Sequence, residues 1–195
     1  KPVYLLGTGE SVETPMVSQM ADFTSSRAFR IAGAKAFEES GIAHVLEHMA
    51  FKGTARRTAT EIKDAIASVG GFISASTSAN HTLYGARMLA ADVPLALDVL
   101  SDIVINPTFD PVELAREEEV IVQELSSRQD NPNAFVFERL LEQAFPEQPL
   151  GRSVAGTMAN VRSFTPQSLT AFRARTYHAP NVLVVAAGAV DHAGE

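Results

Sequence analysis

The stretch Gly41-Ile42-Ala43-His44-Val45-Leu46-Glu47-His48-Met49-Ala50-Phe51-Lys52-Gly53 is the most legible part of the chain. Ile42, Val45, Leu46, Met49 and Ala50 recur at the spacing of one helix face, and Gly53 closes the run. His44, Glu47 and His48 stand at i, i+3 and i+4, so on a helix both imidazoles and the carboxylate point the same way. Two imidazoles and a carboxylate can hold a metal ion and leave one position for water, which the metal acidifies toward a pKa of ~7. Glu47, lying between the imidazoles rather than acting as a ligand, is placed to take the proton from that water. The plainer reading is a polar helix face whose histidines cap nearby carbonyls. With five histidines in the chain, a chance match to this pattern is on the order of one in a hundred.

Two imidazoles still need a third ligand, and the sequence offers one further on. Asp110 reads as the N-cap of a helix with Pro111 at its first position and Glu113 as capping-box partner, running to about Ser127. It carries Glu117-Glu118-Glu119 and then Glu124. Glu117 and Glu124 are seven residues apart, two helical turns, and share a face. Val120, Ile121, Val122 and Leu125 surround Glu124, so it is expected in a largely buried stretch, where a carboxylate needs a cation or a strong partner. Alone, the acidic run reads as a solvated first half of a helix favoured by the dipole. Beside His44 and His48, the reading turns toward Glu124 as ligand.

Around these two helices the pattern predicts a helix over Thr58–Val69 stopped by Gly70-Gly71, and strands at 72–79 and 81–90 with Asn80 near their turn. It then predicts a helix capped by Asp92 and ending near Ile105, one over Asn133–Ala144, a short one near Thr157–Arg162, and one from Thr165-Pro166 to about Tyr177. A last apolar strand is expected at Asn181–Ala187, and two early ones around Tyr4–Leu6 and Phe23–Ile31. Helices and strands mix without βαβ alternation. The expected class is α+β, a mostly antiparallel sheet with helices packed on one face.

Composition narrows the chemistry. A chain of 195 residues is one large domain or at most two small ones, and it can bury a core without disulfides. There is no cysteine, hence no disulfide, no thiolate metal site and no cysteine nucleophile; any zinc here must be held by His, Asp or Glu. Sixteen basic against 23 acidic residues give a net charge of −7, which argues against nucleic acid as partner. No window approaches 18 consecutive apolar residues, so no membrane span is expected, and the first residues show no basic segment followed by an apolar run of the signal-peptide kind.

The order His-x-x-Glu-His reverses the common metalloprotease motif His-Glu-x-x-His and is the inverzincin signature. With Glu124 following His48 by 76 residues inside Arg-Glu-Glu-Glu-Val-Ile-Val-Gln-Glu, the chain resembles the pitrilysin family of zinc peptidases. That family includes insulin-degrading enzyme and the mitochondrial processing peptidase β-subunit. The flanking text resembles it too: Val69-Gly70-Gly71, Leu95 to Ile103 with Asn106-Pro107-Thr108-Phe109, Pro149-Leu150-Gly151-Arg152, and Tyr177-His178-Ala179-Pro180-Asn181. The match is dense over residues 33–192 and is nearest in style to the bacterial and mitochondrial processing-peptidase branch.

Position by position, the resemblance implies one Zn²⁺ held by His44, His48 and Glu124, with Glu47 as general base. It implies that Glu117 supports the ligands from behind. Phe72–Thr77 matches the edge strand that pairs with extended peptide, so Ser74, Ala75, Ser76 and Thr77 are the expected substrate contacts. Ser74-Ala75-Ser76-Thr77 departs from the family's Asn-Ala-aromatic-Thr, and Leu6-Gly7-Thr8-Gly9 only approximates its Leu-Pro-Asn-Gly opening. The family's enzymes contain a later domain that supplies an Arg/Tyr pair, and this chain resembles the first domain alone. The implied activity is a zinc metalloendopeptidase acting on extended peptides or presequences, incomplete without that second domain or subunit, in a homo- or heterodimer. The implied setting is a bacterial cytoplasm or periplasm, with the mitochondrial matrix as the other choice. The competing reading is a non-catalytic peptide-binding or scaffolding subunit, although such subunits typically lose part of the motif. His81 is read as a structural or surface residue, His178 as a loop residue and Tyr84 as core rather than catalytic, while Arg152 reads equally as facing the active-site side or as a surface residue.

Overall fold

Helix α1 (Ile42–Ala50) starts at a contact only glycine permits. Gly41 has φ 96°, and a Cβ there would lie 2.6 Å from the Ala155 carbonyl oxygen. Gly156, at φ 77°, faces it, and its own Cβ would lie 2.3 Å from the Ser40 carbonyl oxygen. The two left-handed glycines thus bring the entry of α1 against the loop at 153–157, where Ser40 Oγ also donates to the Ser153 carbonyl at 3.0 Å. The computed structural model describes residues 8–9, 39–146 and 148–188. The strands expected near Tyr4–Leu6 and Phe23–Ile31 lie outside them.

From that anchor α1 runs between two apolar clusters. Ile42, Val45, Leu46 and Met49 join Leu114, Ile121 and Leu125 of α4 (Pro111–Gln129), Val161 of α6 (Met158–Val161), and Leu169 and Phe172 of α7 (Pro166–Thr176). Ala50 joins the second cluster, built from Ile62 and Ile66 of α2 (Ala59–Ala67), Tyr84 and Ala86 of the sheet, and Val99, Leu100 and Ile103 of α3 (Val93–Ile105). The i, i+3, i+4 spacing of the sequence becomes burial on both sides of one helix, leaving His44, Glu47 and His48 on the remaining stripe.

The sheet is antiparallel with order β1 (Thr8–Gly9), β3 (His81–Arg87), β2 (Phe72–Thr77), so β2 forms its edge among the described residues. Ile73, Ala75 and Thr77 pair with Ala86, Tyr84 and Thr82 and share the face toward the helices, while Phe72, Ser74 and Ser76 are exposed. Helices on one face of a small antiparallel sheet are the α+β arrangement expected. Helix α5 (Pro132–Ala144) completes the set and buries no residue fully. Among the described residues no helix is long and apolar enough to cross a membrane.

Several local expectations need correction. Asp110 does cap α4, accepting from Val112 N at 2.8 Å and Glu113 N at 3.1 Å, but the Glu113 carboxylate is taken by Arg116 instead of closing a capping box. Reciprocal boxes stand instead at α2, where Thr58 and Glu61 each bond the other's backbone, and at α7, where Thr165 and Ser168 do the same. Asp92 precedes α3 without a side-chain capping bond. The late apolar segment forms no strand ladder among the described residues. Pro180 sits in the 3-10 turn Ala179–Asn181, and Leu183 and Val184 are 51% and 64% exposed.

One buried polar network holds the loop after α1 to α3. Asp102, 1% exposed, accepts from Thr54 Oγ1 at 2.8 Å, Arg57 Nη1 at 2.6 Å and Asn106 Nδ2 at 3.1 Å. Burial alone would raise its carboxyl, but these donors outweigh it and hold it below the ordinary value. That stabilisation is present above the unfolded value of ~3.9 and is lost as the pH falls through the lower folded value. Asp102→Ala, which strands Arg57 and Thr54, is expected to cost about 3 kcal/mol in urea denaturation at pH 7. An unchanged midpoint would contradict this role.

Candidate metal centre

Helices α1 and α4 bring three donors to one place. His44 Nε2 and His48 Nε2 each lie 3.8 Å from Glu124 Oε2, and one donor atom from each of the three residues falls within 4.8 Å of the others. These separations exceed hydrogen-bond length. They are near the ~3.4 Å between donors sharing a tetrahedral ion at 2.0–2.1 Å, so a small contraction of side chains fits a metal ion. The imidazoles stand edge to face, with ring centroids 4.6 Å apart.

His48 is fixed from behind. Its Nδ1 lies 3.0 Å from Glu117 Oε2, and a carboxylate can only accept, so Nδ1 carries a proton and, in the neutral ring, the lone pair is on Nε2. The other oxygen of Glu117 meets Lys52 Nζ at 2.5 Å. Burial alone would raise Glu117, yet Lys52 and His48 hold it below the usual carboxylate range. His44 is driven the other way: burial first, then the charges of His48 and Arg128, lower it from 6.5 to about 4.

Glu47 projects from the same stripe of α1 and accepts a short hydrogen bond from Thr77 Oγ1, at the end of the edge strand. Burial raises its carboxyl, and the charge of Glu124 adds to this, against the lowering influence of Thr77 and His48. A carboxyl so placed is a candidate proton carrier.

His44, Glu47, His48 and Glu124 border a cleft of about 710 Å³ that also reaches Ala75, Ser76 and Thr77. Ser74, expected among the substrate contacts, does not line it. Glu124 is also less enclosed than its apolar neighbours suggested. Its side chain is 41% exposed, because Ile121 and Leu125 turn into the core while Val120 and Glu124 turn to the cleft. Glu117, within the run that alone reads as solvated, is 5% exposed.

Gln123, Ser127 and Arg128 also line the cleft without having been singled out. The signal was the helical repeat: Ser127 and Arg128 follow Gln123 and Glu124 by one turn. Lys52 was equally readable, four residues past His48. Tyr84 is core, 3% exposed, with its hydroxyl 3.1 Å from that of Tyr177. His81 bonds Ser78 and Asn80 at the hairpin turn, His178 precedes the 3-10 turn, and neither they nor Arg152 lines the cleft.

Comparison with known proteins places the chain in a family. Residues 34–158 match the model of the family described as Insulinase (Peptidase family M16). An uncharacterized zinc protease of Rickettsia felis is 41% identical over 155 residues, covering 80% of this chain and 38% of that protein. The mitochondrial-processing peptidase subunit beta of Saccharomyces cerevisiae is 34% identical over 189 residues, covering 96% of this chain and 41% of that protein. A crystal structure of a protease from Helicobacter pylori shares the fold, with a TM-score of 0.80 at 22% identity, over 97% of this chain and 41% of that one. The chain therefore spans about two fifths of the length of these proteins.

In the metal-free chain, the His44 imidazole is expected to stay neutral down to about pH 4 in an NMR titration. The unfolded chain takes up this proton near pH ~6.5, so His44 makes stability fall as pH drops from there to the folded value, by a total on the order of 3 kcal/mol. A His44 titration near 6.5 would contradict the burial described.

Proposed function

Because the chain belongs to the insulinase family, peptidase family M16, and has its metallopeptidase-like domain, we propose that it is a zinc-dependent metalloendopeptidase domain acting on extended peptides. The observation that carries this reading is the convergence of His44, His48 and Glu124 within 4.8 Å, with Glu47 beside them in the same cleft. Zinc is favoured by the donor set of two imidazoles and a carboxylate and by relatives named as zinc proteases. When bound there, a zinc ion would acidify a water molecule and polarise a peptide carbonyl.

The chain's own residues divide the remaining work. His44, His48 and Glu124 hold the ion, and Glu117 orients His48. Glu47 takes the proton of the attacking water and delivers it to the leaving amine nitrogen, while Thr77 keeps its carboxylate turned toward the cleft. The exposed edge of β2 offers main-chain donors and acceptors to a peptide added as a further strand, with Ala75, Ser76 and Thr77 beside the scissile bond. Ser74 stays on the same strand but outside the cleft lining. We further propose that residues 1–195 are the N-terminal zinc-peptidase domain, and that a second family domain or subunit closes the cleft and supplies the Arg/Tyr pair. The coverage of about two fifths of each relative supports this. Presequence-like peptides are the narrower substrate class implied by the family resemblance, and the yeast relative is named a mitochondrial-processing peptidase subunit.

Two substitutions separate binding from chemistry. Glu47→Gln is expected to keep one zinc per chain by metal analysis, while peptide hydrolysis, assayed with the second domain supplied, drops at least 10²-fold. Retained hydrolysis removes Glu47 from the role of base. Glu124→Gln is expected to lower the zinc content itself, and unchanged stoichiometry would remove Glu124 from the ligand set.

A further inference from the structure

Lys52 has no part in the chemistry above, yet its pairing with Glu117 is specific in geometry. Lys52 lies four residues beyond His48, just past the end of α1, and its backbone N–H still bonds the Met49 carbonyl at 3.1 Å. The helical turn therefore continues, and Lys52 rises from the same side of α1 as His48. Its ammonium meets Glu117 Oε1 at 2.5 Å, while Glu117 Oε2 meets His48 Nδ1 at 3.0 Å. The Glu117 side chain is 7% exposed and that of Lys52 27%. Lys52 does not line the cleft and makes no ion pair with Glu124 among the described residues.

We propose that Lys52 is a positioning residue for the metal centre: it anchors the buried Glu117 carboxylate so that Glu117 fixes the His48 ring with Nε2 facing Glu124. A carboxylate held at one oxygen only can turn about its last bond, and it then loses its aim at Nδ1. Held at both, it cannot. A buried carboxylate is also strongly disfavoured without a cation, so the ammonium is what lets Glu117 stay in this place at all. The imidazole gains a single tautomer, Nδ1–H, with the lone pair of Nε2 directed to the shared donor site. Lys52 thus acts across two side chains, Glu117 and then His48, without touching metal or substrate. The inference rests on the metal reading proposed above and extends it to the support behind the ligands.

The test measures Zn²⁺ affinity of the full chain by competition with a chromophoric chelator. Lys52→Met is expected to weaken binding about tenfold or more, within the range for lost supporting partners, and Lys52→Arg to restore most of it. In a Glu117→Gln background, Lys52→Met is expected to add nothing, because Lys52 acts only through that carboxylate. ¹⁵N shifts of the metal-free protein should show His48 as the Nδ1–H tautomer, with this preference lost in Lys52→Met. Lys52→Gln replaces Lys52→Met, with the same expectations, should the methionine variant not fold. Wild-type affinity in the neutral variants, or losses that simply add to that of Glu117→Gln, would overturn the role of Lys52 while leaving the metal site standing. A wild-type chain that binds no Zn²⁺ would overturn the metal reading and this inference together.

Discussion

Leu46 and Met49 of α1 share one buried cluster with Ile121 and Leu125 of α4, and this apolar seam governs where the polar side chains go. Each wholly buried aliphatic side chain contributes roughly 1.5–3 kcal/mol, enough that the two helices cannot slide without losing a large part of the fold's stability. With the seam fixed, the residues beside it are fixed as well. His44 and His48 leave α1, Glu124 leaves α4, and their donor atoms meet at 3.8 Å across the opening of the seam. The Glu117–His48 bond at 3.0 Å ties the same two helices one step deeper. A site carried by packed helices keeps its geometry better than one carried by loops.

The second consequence of α1's position is that sheet and helix meet at Glu47. One flank of α1 packs toward β2, whose Thr77 donates to the Glu47 carboxylate. Thr77 pairs with Thr82 of β3, and Thr82 is buried on the helix-facing side. The carboxylate is therefore held by the strand at the sheet edge. In the proposed reaction, the edge that would receive a peptide also sets the direction of the group that moves its proton. The entry of α1 is set separately, by Gly41 and Gly156, where backbone approaches backbone too closely for any side chain.

The parts of this arrangement governed by helical repeat were legible in the sequence. His44, Glu47 and His48 at i, i+3 and i+4 could share a face in only one way, and Asp110-Pro111 marks the start of α4 by capping chemistry. What was misread depends on which neighbour wins a side chain. Glu113 had a backbone partner by pattern but an arginine one turn away by geometry, and the arginine took it. Glu124 looked buried because its sequence neighbours are apolar, whereas on the helix those neighbours alternate between core and cleft. The apolar run at 181–187 satisfies a strand pattern, and among the described residues it forms no ladder, since pairing depends on a partner that local sequence does not reveal. Lys52 lies past the end of α1, where hydrophobic periodicity carries no signal for a polar side chain.

The proposed chemistry depends on His44, His48 and Glu124 forming one metal site. X-ray absorption at the zinc edge, on the chain loaded with one equivalent of zinc, tests it most directly. The expected result is a first shell of nitrogen and oxygen at about 2.0–2.1 Å with the outer scattering of two imidazole rings, reduced to one ring in His44→Ala. A shell without imidazole scattering, or one unchanged in His44→Ala, would contradict it.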